Sequence, residues 1–204
     1  MFLIATHSQA EEDEWDIYTV NDMIVTSVPG KIVHGDKLRF ILKKNNCKSL
    51  NVLFSFLTYK APNEIHHLKG KTIPIKINEE AILGAAEIIV VRPTFNNMAH
   101  LVMLSAPQSY ELDNFSKGIM RSYNLRKIFT IELMDADNFD VKKYFNISIN
   151  EWNLDRYPEK INEAYNICIK SSKIDNVISE SRLTYKYFKN LFNSNLHVQL
   201  VKVF

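Results

Sequence analysis

Three carboxylates and a lysine raise the question of chemistry first. Asp135, Asp137 and Asp140 lie within six residues of one another, and Lys142 follows two places on. An Asp-x-Lys triplet after an upstream acid is a pattern by which metal-dependent nucleases hold Mg²⁺, the lysine stabilising the attacking water or the phosphate charge. That pattern normally sits on or beside a buried strand, whereas here it falls in a polar loop after the alternating run Lys127–Leu133. The same residues begin as a calcium loop does. Asp140, however, stands at the sixth position, where the sharp turn needs Gly, and Asn146 replaces the closing Glu. The stretch is therefore read as an Asp-rich turn capping Val141–Phe145, with a nuclease centre as the alternative.

The other reactive residue types give less. His66-His67, with His34 and Cys47 upstream, is the one histidine cluster, and no Cys-x-x-Cys or His-Glu-x-x-His spacing accompanies it. It reads as a surface loop, and no metal or cofactor is expected. Cys47 and Cys168 are far apart, and Cys168 falls on the apolar face of a predicted helix, which points to a buried free thiol. The sequons Asn114-Phe-Ser116 and Asn146-Ile-Ser148 are read as chance matches. Five glycines, none in a phosphate-binding pattern, lower the expectation of a nucleotide-using enzyme.

Charge is the clearest non-structural signal. The whole chain carries +2, but residues 31–76 hold ten Lys/Arg against two acids, which leaves +8. Residues 11–22 hold six acids and no base, which gives −6. A basic surface of this kind attracts the phosphates of nucleic acid or of an anionic membrane through a salt-sensitive field. Lys37, Arg39, Lys43, Lys44, Lys48 and Lys76 are the expected polyanion-binding residues. The competing arrangement lays the acidic opening over these lysines and neutralises them. A secondary basic cluster, Arg182, Lys186 and Lys189, alternates with Tyr185 and Phe188 at helical spacing, which suits a solvated face opposite a core stripe.

The elements that must position these residues follow from periodicity. Trp15–Val20 and Met23–Val28 read as strands joined at Asn21-Asp22. In Lys37–Lys44, Leu38, Phe40 and Leu42 face one way while Lys37, Arg39, Ile41 and Lys43 face the other. Leu50–Tyr59 is an apolar run expected to be a buried strand, and Lys71–Asn78 alternates with Pro74 marking an edge. The centre is expected at Glu87–Val91 and Ala99–Leu104, a hairpin turning at Arg92–Met98 because Pro93 is unsuited to a central ladder. Beyond Pro107 the stripe Leu112, Phe115, Ile119, Tyr123 is helical, with Gly118 a weak spot; Lys127–Leu133 is a strand. Pro158 suits the first turn of a helix carrying Ile161, Ala164 and Cys168, and a further helix from Asp175 and a last strand Leu196–Phe204 complete the expectation.

The expected fold is α+β in a single domain over 1–204. An antiparallel sheet, folded as a sandwich or open barrel, occupies 1–108, and the part from 109 to 204 is mixed and helical. Hydrophobic content of 46% and 24% charged residues are ordinary globular values, and no apolar run reaches the roughly 20 residues of a membrane span. With no signal-like opening, the chain reads as intracellular and non-secreted. Abundant Asn, Lys and Ile fit an AT-rich coding genome, bacterial or viral. The expected role is that of a non-catalytic binding or assembly protein meeting nucleic acid first, or an anionic membrane surface as a matrix-like protein would. A protein-interaction module of inhibitor or immunity type, whose acidic Glu11–Asp16 would engage a basic target, and oligomer formation are the further expectations.

Overall fold

The computed structural model describes residues 14–33, 35–44, 46–60, 64–78, 83–94, 98–105 and 110–171, with backbone only at Leu83 and over 110–117. Within them the chain builds nine strands: β1 Asp16–Val20, β2 Met23–Pro29, β3 Lys37–Lys43, β4 Asn46–Thr58, β5 Thr72–Ile77, β6 Leu83–Thr94, β7 Ala99–Ser105, β8 Ile128–Leu133 and β9 Ile149–Asn153. The helices are α1 Tyr110–Leu125, the single turn α2 Val141–Tyr144 and α3 Tyr157–Ser171, with a 3-10 turn at Ile65–Leu68. All nine strands form one antiparallel sheet in the order β1-β2-β3-β4-β7-β6-β5-β8-β9. The sheet is thus not confined to 1–108, because β8 and β9 extend it past residue 150.

The register explains which residues face inward. Ile24, Thr26 and Val28 of β2 stand opposite Leu42, Phe40 and Leu38 of β3, and the last two stand opposite Val52 and Phe54 of β4. Side chains alternate along a strand, so this set shares one face. That face joins a single large core with Phe56, Ile73, Ile75, Ile77, Ile88, Val102, Leu104, Phe129, Ile131 and Trp152. The sheet curls until its far end returns. Gly30, just past β2, bridges to Trp152 of β9, and Lys31 N–H donates to the Glu151 carbonyl at 2.7 Å.

The β6–β7 hairpin does lie mid-sheet, but it is longer than its composition suggests. Pro93 stands within β6, opposite His100. It is tolerated because β5 pairs with β6 only over Leu83–Glu87, so no ladder bond is asked of it on that side. Pro74 likewise is not on an edge strand, since β5 lies between β6 and β8. Its missing N–H falls just outside the short β8 ladder of Ile75–Ile77, and its carbonyl still accepts from Met134 at 2.9 Å.

The helices are few. Gly118 is a close-approach point: a Cβ there would lie 2.8 Å from Ile77 Cγ2, so the absent side chain is what lets α1 seat on β5. Beside it Asn78, at φ 57°, donates to the Gly118 carbonyl and accepts from Thr130 N–H. At the N-terminal end of α3, Tyr157 meets Phe40 (5.0 Å between ring centroids), Trp15 and Tyr123, which ties the residue leading into β1 to β3, α1 and α3. Burial pushes the Tyr157 hydroxyl well above the usual phenolic range. Farther along α3, Ala164 and Cys168 pack on Ile24, Leu42 and Cys47 in a smaller cluster. Among the described residues, no helix is long and apolar enough to cross a membrane.

Candidate polyanion interface

The parity expected of β3 is the parity observed. Lys37, Arg39, Ile41 and Lys43 project from the face opposite the main core; Leu38 and Phe40 face into it, and Leu42, on their side of the strand, enters the smaller cluster under α3. Yet the six expected polyanion-binding residues do not form one surface. Lys76 is on β5, separated from β3 by β4, β7 and β6, and its ammonium lies 3.8 Å from Glu132. At roughly 4.8 Å per strand this is some 19 Å along the sheet.

Two of the β3 residues are engaged locally. Lys37 Nζ lies 2.9 Å from Asp16 Oδ2, so the acidic opening does neutralise this lysine. Arg39 Nη1 donates to Ser55 Oγ at 3.1 Å and lies close enough to Asp36 to stabilise its charged form. The guanidinium therefore serves a buried carboxylate and a strand hydroxyl rather than standing free.

The remaining three lie together at one end of the β3–β4 hairpin. Lys43 ends β3, Lys44 sits in the β3–β4 turn and Lys48 is exposed near the start of β4. Lys44 Nζ donates to the Asn21 carbonyl at 2.9 Å, a neutral partner that leaves its charge uncancelled. Asp22 lies in the adjoining β1–β2 turn, and its carbonyl accepts from Lys44 N–H. Among the described residues no carboxylate pairs with Lys43, Lys44 or Lys48.

The start of β4 is tied to α3 by a covalent bridge. Cys47 and Cys168 form a disulfide with Cα atoms 5.9 Å apart, across 121 residues of chain. The expectation of a free thiol at Cys168 is therefore wrong: the register of α3 on β2 and β3 puts its buried sulfur against the start of β4, a proximity that sequence separation conceals. Lys170, exposed in the last turn of α3, lies two residues beyond the bridge. Two helical residues turn about 200°, so Lys170 stands on the side of α3 away from the sheet and apart from the hairpin lysines. Arg182, Lys186 and Lys189, together with the expected helix from Asp175 and strand Leu196–Phe204, lie outside the described residues.

The other candidate centres have structural roles. Asp140 Oδ1 accepts from Lys142 N–H and Asp135 Oδ1 from Val141 N–H, both at 2.8 Å, so the two carboxylates cap α2 as an Asp-rich turn does. Among the described residues no group of three or more His, Cys, Asp or Glu is placed to hold a metal. His66 and His67 are exposed on the 3-10 turn, and the His66 ring lies 5.3 Å from that of His100. Burial, with the neighbouring His66, lowers the His100 pKa. Asn146 of the second sequon uses its side-chain oxygen to accept from Tyr59 and Lys60 N–H. Comparison with known proteins returns no match to this chain, whether from protein-family models, from curated sequences or from solved structures.

Proposed function

We propose that the protein is a non-catalytic binding protein that engages nucleic acid through the end of the β3–β4 hairpin. The observation that carries the reading is the presence of Lys43, Lys44 and Lys48 within six residues at the end of the β3–β4 hairpin, with no carboxylate paired to them among the described residues. Ammonium groups on flexible stems bind phosphates as point charges without demanding base identity, so interactions of this kind position a strand and release counterions. The expected preference is for backbone over sequence.

The test is binding of the purified protein to a labelled single-stranded oligonucleotide across a salt series, with Lys43→Glu/Lys48→Glu as the comparison. Affinity should fall steeply with salt, and the double variant should flatten that slope by about 1.4, or about 0.7 for each phosphate that is no longer neutralised. Binding that ignores salt, or survives the double variant unchanged, retires the reading. Binding to anionic vesicles in place of the oligonucleotide would move the same lysines to a membrane surface.

A further inference from the structure

Resting on that polyanion reading, we infer that Tyr18 is a stacking platform for a base, so that the ligand is single-stranded rather than duplex nucleic acid. The strand register puts Tyr18 and Lys43 on one face. Across β1, β2 and β3, Val20, Met23 and Lys43 form one row, and Tyr18, Val25 and Ile41 form the next. Side chains alternate along each strand, so both rows project from the side opposite the main core. Among the described residues β1 is the edge of the sheet, and Tyr18 is 39% exposed there. At roughly 4.8 Å between strands and 3.4 Å per residue, the Tyr18 and Lys43 Cα atoms are about 12 Å apart. Two long side chains reach into that interval, and one nucleotide fits it with its base on the ring and its phosphate at the ammonium.

The surrounding charges orient such a strand. Asp16, one row from Tyr18 on the same face, is paired with Lys37. Asp22 is exposed in the β1–β2 turn and repels phosphates from that end of the edge. Phosphates are drawn instead to Lys43, Lys44 and Lys48, which leaves the bases toward β1. A lysine cluster acting alone favours a duplex, whose axis carries one charge per about 1.7 Å. An exposed ring reverses that order, because the bases of a single strand offer free π-faces whereas those of a duplex are stacked on one another. Stacking of this kind tolerates any base, in keeping with lysines that read only the backbone. A tyrosine placed at the edge merely for its strand propensity gives no preference for single strands.

The experiment measures binding of the full-length protein to a thymidine oligonucleotide of about 12 nucleotides, to an abasic strand and to a duplex of the same length. The wild-type protein should prefer the thymidine strand to both. Tyr18→Leu, which keeps apolar bulk, should weaken that binding by about 5-fold or more and leave the salt slope and the affinity for the abasic strand unchanged. Tyr18→Phe should bind within about 2-fold of the wild type, since the ring rather than the hydroxyl stacks. Equal wild-type affinity for the thymidine and abasic strands, or preference for the duplex, overturns the platform while the lysine reading stands. An equal loss in Tyr18→Leu for the abasic strand overturns it as well, because the substitution then acts through the hairpin. If Lys43→Glu/Lys48→Glu leaves the affinities and the salt slope unchanged, the polyanion reading fails and the platform with it. Binding to anionic vesicles with none to the oligonucleotides has the same consequence for the platform.

Discussion

Asp36 and Asn150, 114 residues apart in the chain, share a hydrogen bond of 2.8 Å at a position closed to solvent. The same asparagine accepts from Ile32 and Val33 N–H and donates to the Val33 carbonyl, while Asp36 also accepts from Leu57 N–H. This knot fastens the β2–β3 loop to β9 where the curled sheet meets itself. A Cβ on Gly30 would collide with Asn150 Nδ2 and sit 2.6 Å from the Val33 carbonyl, so only glycine lets the strands come that close.

A pH dependence follows from that carboxyl. Burial pushes Asp36 up from 3.8 to about 7, against the N–H donors of Leu57 and Asn150 and the charge of Arg39. Its folded value lies above its unfolded one, so the folded state holds the proton more tightly. The stability contribution is fully present below about pH 4 and is lost as pH rises through about 7. Roughly three pKa units at 1.36 kcal/mol each bound the effect at about 4 kcal/mol. Asp36→Asn removes the titration but sets an amide N–H against one of the two existing donors, at a cost of about 1–3 kcal/mol. Urea unfolding of both proteins at several pH values should show the wild-type advantage at pH 4 falling as pH rises and reversing by pH 8 if the full shift is realised. A difference independent of pH would mean that Asp36 is already ionised throughout.

Gly118 and Ile77 should behave as a coupled pair. Gly118→Ala drives a methyl against Ile77 Cγ2 and should cost about 1–3 kcal/mol, despite alanine's better helix propensity. In an Ile77→Ala background the obstructing methyl is gone, and the same change should cost less or become favourable. A double-mutant cycle measured by denaturation reads the coupling directly, and simple additivity would show that α1 does not seat on β5 through this approach.

The Asp135–Lys142 stretch makes a prediction that separates a cap from a catalytic centre. Asp140→Ala removes the acceptor for Lys142 N–H and should lower stability by about 1 kcal/mol. Mg²⁺ should neither raise the melting temperature of the wild-type protein nor support cleavage of an oligonucleotide. Metal-dependent cleavage abolished by the same substitution would restore the nuclease alternative.

What the sequence reveals, and what it hides, has physical causes at particular residues. Strict alternation in β3 exposed its parity, because a one-residue slip would bury lysines and expose Phe40. Asn21 could be recognised as a turn residue because asparagine tolerates the φ of 53° that it adopts. Pro158 likewise marked the start of α3. By contrast β9 was invisible: its two buried positions are Asn150 and Trp152, and Asn150 is polar because it serves Asp36. Pro74 and Pro93 misled because a proline excludes only one ladder bond, and in both cases that bond falls where the neighbouring strand has ended. The site was half legible. Periodicity placed Lys43, Lys44 and Lys48 on one hairpin, but only the packing of α3 brings Cys168 to Cys47.

That packing sets the last prediction. The bridge closes a loop of 121 residues, and restricting an unfolded chain to such a loop stabilises the folded state by about 5 kcal/mol in the chain-entropy model. Measured values commonly fall nearer 2–4 kcal/mol, because unfolded chains retain structure. Urea denaturation of the oxidised protein and of Cys47→Ser/Cys168→Ser should therefore differ by about 2–5 kcal/mol. The m-value should be larger for the variant, whose unfolded chain is no longer cross-linked and exposes more surface. A stability difference accompanied by an unchanged m-value would place the effect in the packing of Ile24, Leu42 and Ala164 rather than in the unfolded chain. The bridge would then be acting on the native helix alone.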